Sequence, residues 1–142
     1  MKNIFSYIII VAFTFSSCIQ NEEFVPSPDV LVGSWESESI EIESLSGEGL
    51  MSEFTTYLFI GEDKSFYKNY MSGNWELSDN HLILNLNQFF DIQPRTYKVV
   101  DFSRNTMTLQ IQTTEGEYCC NFEEFESNEM LLVTEKYVRT DP

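Results

Sequence analysis

From Leu31 onward, apolar and polar residues alternate with a period of two, and turn-forming residues recur about every 8 to 12 positions, the pattern of an all-β sandwich or barrel. The spacing predicts strands over residues 31–43, 54–60, 65–71, 73–78, 81–87, 96–102, 106–112, 117–125 and 129–137, and no amphipathic helix. Between them stand Gly61-Glu62-Asp63-Lys64, Ser72-Gly73, Asp79-Asn80, Ser103-Arg104-Asn105, Glu115-Gly116 and Ser127-Asn128. Such residues suit tight hairpins, so nearly every connection is expected to be antiparallel.

In several strands the alternation also says which side faces a core. Trp75 and Leu77 share a face, as do Leu82, Leu84 and Leu86, then Tyr97 and Val99, then Met107, Leu109 and Ile111 with Thr106, Thr108, Gln110 and Gln112 opposite. The first strand breaks the rule, because Trp35 is odd in number while Ile40 and Ile42 are even. A β-bulge or bend near Ser39 restores the register, and a long strand bent in that way passes from one part of a closed sheet to another, which favours a barrel over a flat sandwich.

The first 18 residues, MKNIFSYIIIVAFTFSSC, follow a different logic. Lys2 precedes an apolar run from Ile4 to Phe15, then Ser16 and Ser17 lead into Cys18, the arrangement of a secretory signal with a lipoprotein cleavage site, with Phe15 standing where a Leu is usual. The run is about a dozen residues, short of the roughly 20 that span a bilayer as a helix. Cleavage before Cys18 makes its thiol the acyl attachment point, each buried CH₂ stabilising membrane binding by about 0.8 kcal/mol. The expected organisation is thus a signal peptide over 1–17, a lipidated tether over 18–29, rich in Pro and acid, and one domain over 30–142. Glu22 and Glu23, just after the cysteine, resemble the acidic export signal of surface lipoproteins in one group of Gram-negative bacteria. The implied location is the outer membrane, with surface display and a periplasmic orientation both open.

Without the leader, 125 residues remain, enough for one substantial core. The leader carries Lys2 and no acid, so the net charge of −15 becomes −16, a surface that repels phosphate backbones and makes nucleic acid an unexpected partner. An aromatic content of 15% is too high for a disordered acidic chain, so the domain should fold. Cys119 and Cys120 are adjacent, without the intervening residues of a redox CxxC motif, and read as free thiols on opposite faces of a strand.

Leu31-Val32-Gly33-Ser34-Trp35 resembles the LxGxW opening of lipocalin-like domains. YLFIGEDKSF over 57–66, Gly73-Asn74-Trp75-Glu76-Leu77 with Asn80-His81-Leu82-Ile83-Leu84, and YKVVDFSRNTMTLQI over 97–111 resemble the hairpins that follow in bacterial members, so the likeness spans about residues 31–137. The 61–64 turn carries Asp-Lys where Asp-Gly is usual, and nothing matches the second conserved box of the eukaryotic proteins. The resemblance implies an antiparallel up-and-down β-barrel of about eight strands, whose interior either fills with its own side chains or holds one small ligand. It also implies a basic side chain, Arg139 or Lys136, over the Trp35 ring.

Trp35, Phe59, Phe66, Trp75, Leu84 and Tyr97 are the candidate lining residues for a small apolar or amphipathic ligand, with Tyr70 also expected to point inward. The alternative is a filled barrel acting as an accessory or adhesion lipoprotein through contacts with another protein. Catalysis has little material: His81 is the only histidine, placed at a hairpin, and no nucleophile stands beside a base. Glu36, Glu38, Glu41 and Glu43, and Glu123, Glu124 and Glu126, read as solvated strand faces rather than metal ligands, since no EF-hand-type loop is present. No enzyme activity, metal or cofactor is expected.

Overall fold

The computed structural model describes residues 26–47, 49–87, 93–118, 122 and 124–141. The leader, Cys18, most of the tether, Cys119 and Cys120 lie outside these. Nine strands follow one another: β1 (Gly33–Ser44), β2 (Gly49–Ser52), β3 (Tyr57–Ile60), β4 (Ser65–Lys68), β5 (Met71–Ser78), β6 (His81–Leu86), β7 (Arg95–Phe102), β8 (Thr106–Thr114) and β9 (Met130–Arg139). Single helical turns α1 (Pro28–Leu31) and α2 (Glu115–Tyr118) precede β1 and follow β8.

Each strand pairs antiparallel with the next along β3 to β9, and β9 pairs back on β1, so the sheet closes. β2 lies against Ile40–Glu43 and β3 against Gly33–Glu36, on the same side of β1. The two therefore act as one interrupted wall strand, and the barrel has eight positions. Ser37 bridges the interruption: its backbone N–H donates to the Thr56 carbonyl at 2.8 Å, and its Oγ accepts from the Thr56 N–H at 2.7 Å.

The bulge expected near Ser39 is present, for the β1–β9 register jumps between Ser37 and Ser39 and skips Glu38. That one extra residue lets Trp35, Ile40 and Ile42 all face inward. A second jump, between Val99 and Asp101, skips Val100 and turns Phe102 toward Trp35, the ring centroids lying 6.0 Å apart.

Three expectations fail locally. The strand placed at 117–125 is absent among its described residues, where Glu117 and Tyr118 end α2 and residues 122 and 124–126 form no ladder. Pro28 and Asp29, expected as extended tether, open α1. The β4–β5 hairpin turns at Asn69-Tyr70 rather than at Ser72-Gly73, because Asn69 adopts a left-handed φ of 54° and its Oδ1 accepts from the Tyr57 N–H at 2.9 Å. Gly73 instead sits inside β5, where a Cβ would overlap the Asn85 carbonyl oxygen and lie 2.9 Å from the Phe66 ring.

One end of the barrel is sealed. Arg139 lies over the Trp35 ring, its guanidinium carbon 4.2 Å from the centroid, as the resemblance implied, whereas Lys136 pairs with Glu41 at 2.6 Å on the outer face. The same guanidinium donates to the carbonyls of Val32 at 2.9 Å, Arg104 at 2.8 Å and Val30, while Trp35 Nε1 donates to Leu31 at 2.9 Å. α1 is thereby stapled across the end. Gly33 has a φ of 145°, and a side chain there would overlap Arg139 Nη1, so this contact requires glycine.

Gly73→Ala should cost about 1–3 kcal/mol through forced separation of β5 and β6, read as a lower urea midpoint at unchanged m-value. An unaltered midpoint would mean that the two strands are not held so closely.

Candidate functional site

Inside the barrel the alternation carries charge as well as apolar groups. Lys68 follows Phe66 in phase on β4, and Glu135 stands between Val133 and Tyr137 on the inward face of β9. Both are buried, at 3% and 0% side-chain exposure, and Lys68 Nζ meets Glu135 Oε1 at 2.8 Å. Two wall positions, β1 and β3, lie between β9 and β4 by the shorter way round the barrel and four by the longer, so the pair crosses the interior. Tyr118, from α2, donates to the same Oε1 at 2.5 Å, and Tyr137 donates to Oε2 at 2.7 Å. Glu135 thus accepts from three donors, the condition under which a buried carboxylate is tolerated.

Burial works against the Lys68 ammonium, but the Glu135 carboxylate beside it more than offsets this, and the pKa of Lys68 is raised above the ordinary lysine value. Burial first, and Glu135 second, push Tyr137 well above the usual phenol range, so it holds its proton and donates. Tyr97 is raised for the same two reasons, with Lys68 and Arg95 pulling in the other direction. The Lys68 ammonium lies 5.4 Å from the Tyr97 ring centroid and 5.7 Å from that of Tyr118. It is near enough to influence Tyr97 ionisation, and among the described residues the Tyr97 hydroxyl has no hydrogen-bond partner of normal geometry.

Away from the sealed end, β7 and β8 part. Their ladder runs from Phe102/Met107 to Lys98/Gln110 and no further, although both strands continue. The gap is a cleft of about 610 Å³ lined by Gln93, Pro94, Arg95, Thr96, Ile111, Gln112, Thr113 and Glu117. Ile111 and Thr113 are inward-facing and buried, so the cleft meets the barrel interior rather than only its outer surface. Arg95 spans it, donating from Nη1 to the Tyr118 carbonyl at 2.6 Å and from Nη2 to the Glu117 carbonyl. A shallower trough of about 350 Å³ continues outside it past Thr96 and Gln112 to His81, Lys98, Gln110 and Leu132.

Of the expected lining residues, Phe66, Leu84 and Tyr97 are buried in the barrel. Trp35 is buried at the sealed end beneath Arg139. Trp75 is buried near the 61–64 turn, where its Nε1 donates to the Gly61 carbonyl at 2.9 Å and the Lys64 ammonium lies 4.0 Å over its ring. Phe59 points outward at 42% exposure, because its neighbours Leu58 and Ile60 face the core, Leu58 directly opposite Trp35. Tyr70 is likewise outward, at the tip of the β4–β5 turn. With Tyr57 and Tyr67, Phe59 forms an exposed aromatic face on β3 and β4, its ring 6.3 Å from that of Tyr67. None of the cleft residues was a candidate site residue from the sequence, although the alternation placed Ile111 toward the core and Gln112 away from it, and of the buried cluster only Tyr97 was a candidate.

Replacing Lys68 by Met should cost roughly 3–5 kcal/mol, since it leaves Glu135 buried without its cation. The double variant Lys68→Met with Glu135→Leu should recover most of that loss in chemical denaturation. Equal stability of the single variant and wild type would show that the pair is not desolvated.

No family model matches the chain, and no curated protein does. Among solved structures, the chain is similar to a lipocalin-like protein from Bacteroides uniformis, at 15% identity and a TM-score of 0.39, over 78% of this chain and 99% of that one. It is also similar to a deswapped triple mutant of bovine odorant binding protein, at 13% identity and a TM-score of 0.37, over 80% of this chain and 76% of the other.

Proposed function

We propose that this chain is a non-enzymatic, membrane-anchored lipoprotein whose barrel binds a small amphipathic molecule. The observation that carries this reading is the β7–β8 cleft. It has the volume of a small-molecule site, an apolar inner wall at Ile111 with Pro94 at its exposed side, and a few polar groups placed to orient a guest. The middle of the barrel is occupied by its own side chains around Lys68 and Glu135, so the guest enters from the parted end and does not fill the full axis. Phe66 and Leu84 serve as supporting core in this reading, and Trp35, Trp75 and Phe59 lie outside the site.

A second reading, a filled scaffold acting through protein contacts, is favoured by the exposed face of Tyr57, Phe59 and Tyr67. Native mass spectrometry of the protein as purified from its own cells separates the two. A bound small molecule, lost when Thr113→Trp blocks the cleft in a folded variant, is the expected result. Protein free of adducts, and unable to take one up from a lipid extract, would favour the scaffold.

Anchoring through acylated Cys18 at the outer membrane completes the proposal and is supported by the leader sequence. Cys18→Ala should move the protein from the membrane to the soluble fraction without altering its thermal unfolding. Continued membrane association of that variant would count against a lipid anchor.

A further inference from the structure

Phe59 and Tyr67 stand opposite each other on the outer wall of β3 and β4, with Tyr57 beside them and Tyr70 at the turn that follows. Across four strands one outward row reads Ser34, Phe59, Tyr67 and Ser72. In a chain of net charge −15 this wall is free of acid, for none occurs in β3, in β4 or anywhere from Lys64 to Trp75. Glu36, opposite Tyr57, and Glu62 and Asp63 in the turn joining the two strands mark its border. Exposed rings grouped in this way mark a contact surface. Tyrosine in particular collects at the headgroup level of a bilayer, with its ring toward the acyl chains and its hydroxyl toward water.

The tether decides which partner is within reach. Seven residues, 19–25, separate Cys18 from Pro26, a span of at most about 28 Å when straight and about 16 Å as a flexible chain. Pro26 leads directly into α1, which crosses the sealed end, and Phe59 pairs with Ser34, the residue after Gly33 at that same end. The aromatic wall therefore begins where the tether enters. A barrel anchored so closely meets lipid at an effective concentration of about millimolar, at which a contact too weak to hold a free protein is made.

Resting on the anchored reading above, we infer that the outer wall of β3 and β4 is a second membrane contact, on which the barrel lies with Tyr57, Phe59 and Tyr67 in the headgroup region of a zwitterionic bilayer. The bordering carboxylates disfavour an anionic surface. In the closed order of eight wall positions, β3 and β4 are each four places from β7 and β8 respectively, by either way round. Lying on the aromatic wall thus turns the β7–β8 cleft to the water side, where its guest arrives from solution.

The test is tryptophan fluorescence of the acylated protein, purified from its own membranes and reconstituted in phosphatidylcholine vesicles with plain or brominated acyl chains. Tyr67→Trp places an indole on the aromatic wall, and Val100→Trp places one on the outward, exposed face of β7. Trp35 and Trp75 are buried, and their emission is subtracted using the unsubstituted protein. The indole added by Tyr67→Trp should lose about half or more of its emission to brominated lipid, since a ring at the headgroup level lies beside the acyl chains. That added by Val100→Trp should be unaffected. Tyr57→Trp, on the same wall, gives the same reading where thermal unfolding shows Tyr67→Trp to be destabilised. Protein that sediments with the vesicles but shows no quenching on the aromatic wall, or equal quenching on both walls, would overturn this contact and leave the anchor standing. Protein that does not sediment with the vesicles would remove the anchored reading and this one together.

Discussion

The closure of β1 on β9 is the constraint from which the rest of the molecule follows. A single strand must pair with β9 along one edge and with both β2 and β3 along the other, and a regular 12-residue strand with strict alternation would present Trp35 to one side of the sheet and Ile40 to the other. The extra residue Glu38 absorbs that mismatch. It bends β1 between its two partners on one side and keeps all three apolar side chains inside. Once the sheet closes, the described strands keep open edges along the short β2 and where β7 and β8 part, and a narrow interior is created that has to be filled, wetted or occupied by a guest.

The two ends of that interior are finished differently. At one end Arg139 spends its planar fork of donors on the carbonyls of Val30, Val32 and Arg104 and covers Trp35 with its face, a geometry that lysine could not reproduce. At the other, Arg95 reaches from β7 to the last carbonyls of α2 and braces strands that have already separated. Between them the Lys68–Glu135 pair ties β4 to β9 across the axis. Because its charges are removed from water, it specifies the packing around it more than it adds net stability. The tyrosines that complete it come from β9 and from α2, so the seating of α2 depends on the same carboxylate.

Much of the wall was legible in the sequence because most strands alternate cleanly. The faces of β6 and β8, the parity change in β1 and the Asp79-Asn80 turn, with Asp79 at a φ of 52°, follow from local patterning. The face of β3 did not, since Tyr57, Leu58, Phe59 and Ile60 are all large and apolar, and only pairing with Trp35 decides which two turn inward. Ser72-Gly73 resembled a turn because glycine is ambiguous between freedom of φ and absence of a side chain; here the second property is used. The interior charges were readable in principle. Lys68 is in phase with Phe66, and Glu135 with Val133 and Tyr137, and a charge on an otherwise apolar face signals a partner across the core. The cleft was not readable, because it arises where a ladder stops while its strands continue, a matter of register and not of residue type.

The most direct measurement is a crystal structure of the protein as purified from its own cells. Electron density for a small molecule between β7 and β8, against Ile111 and Arg95, is the expected result. An empty cleft, with a copurified molecule seated on Tyr57, Phe59 and Tyr67 of the outer wall, would contradict it.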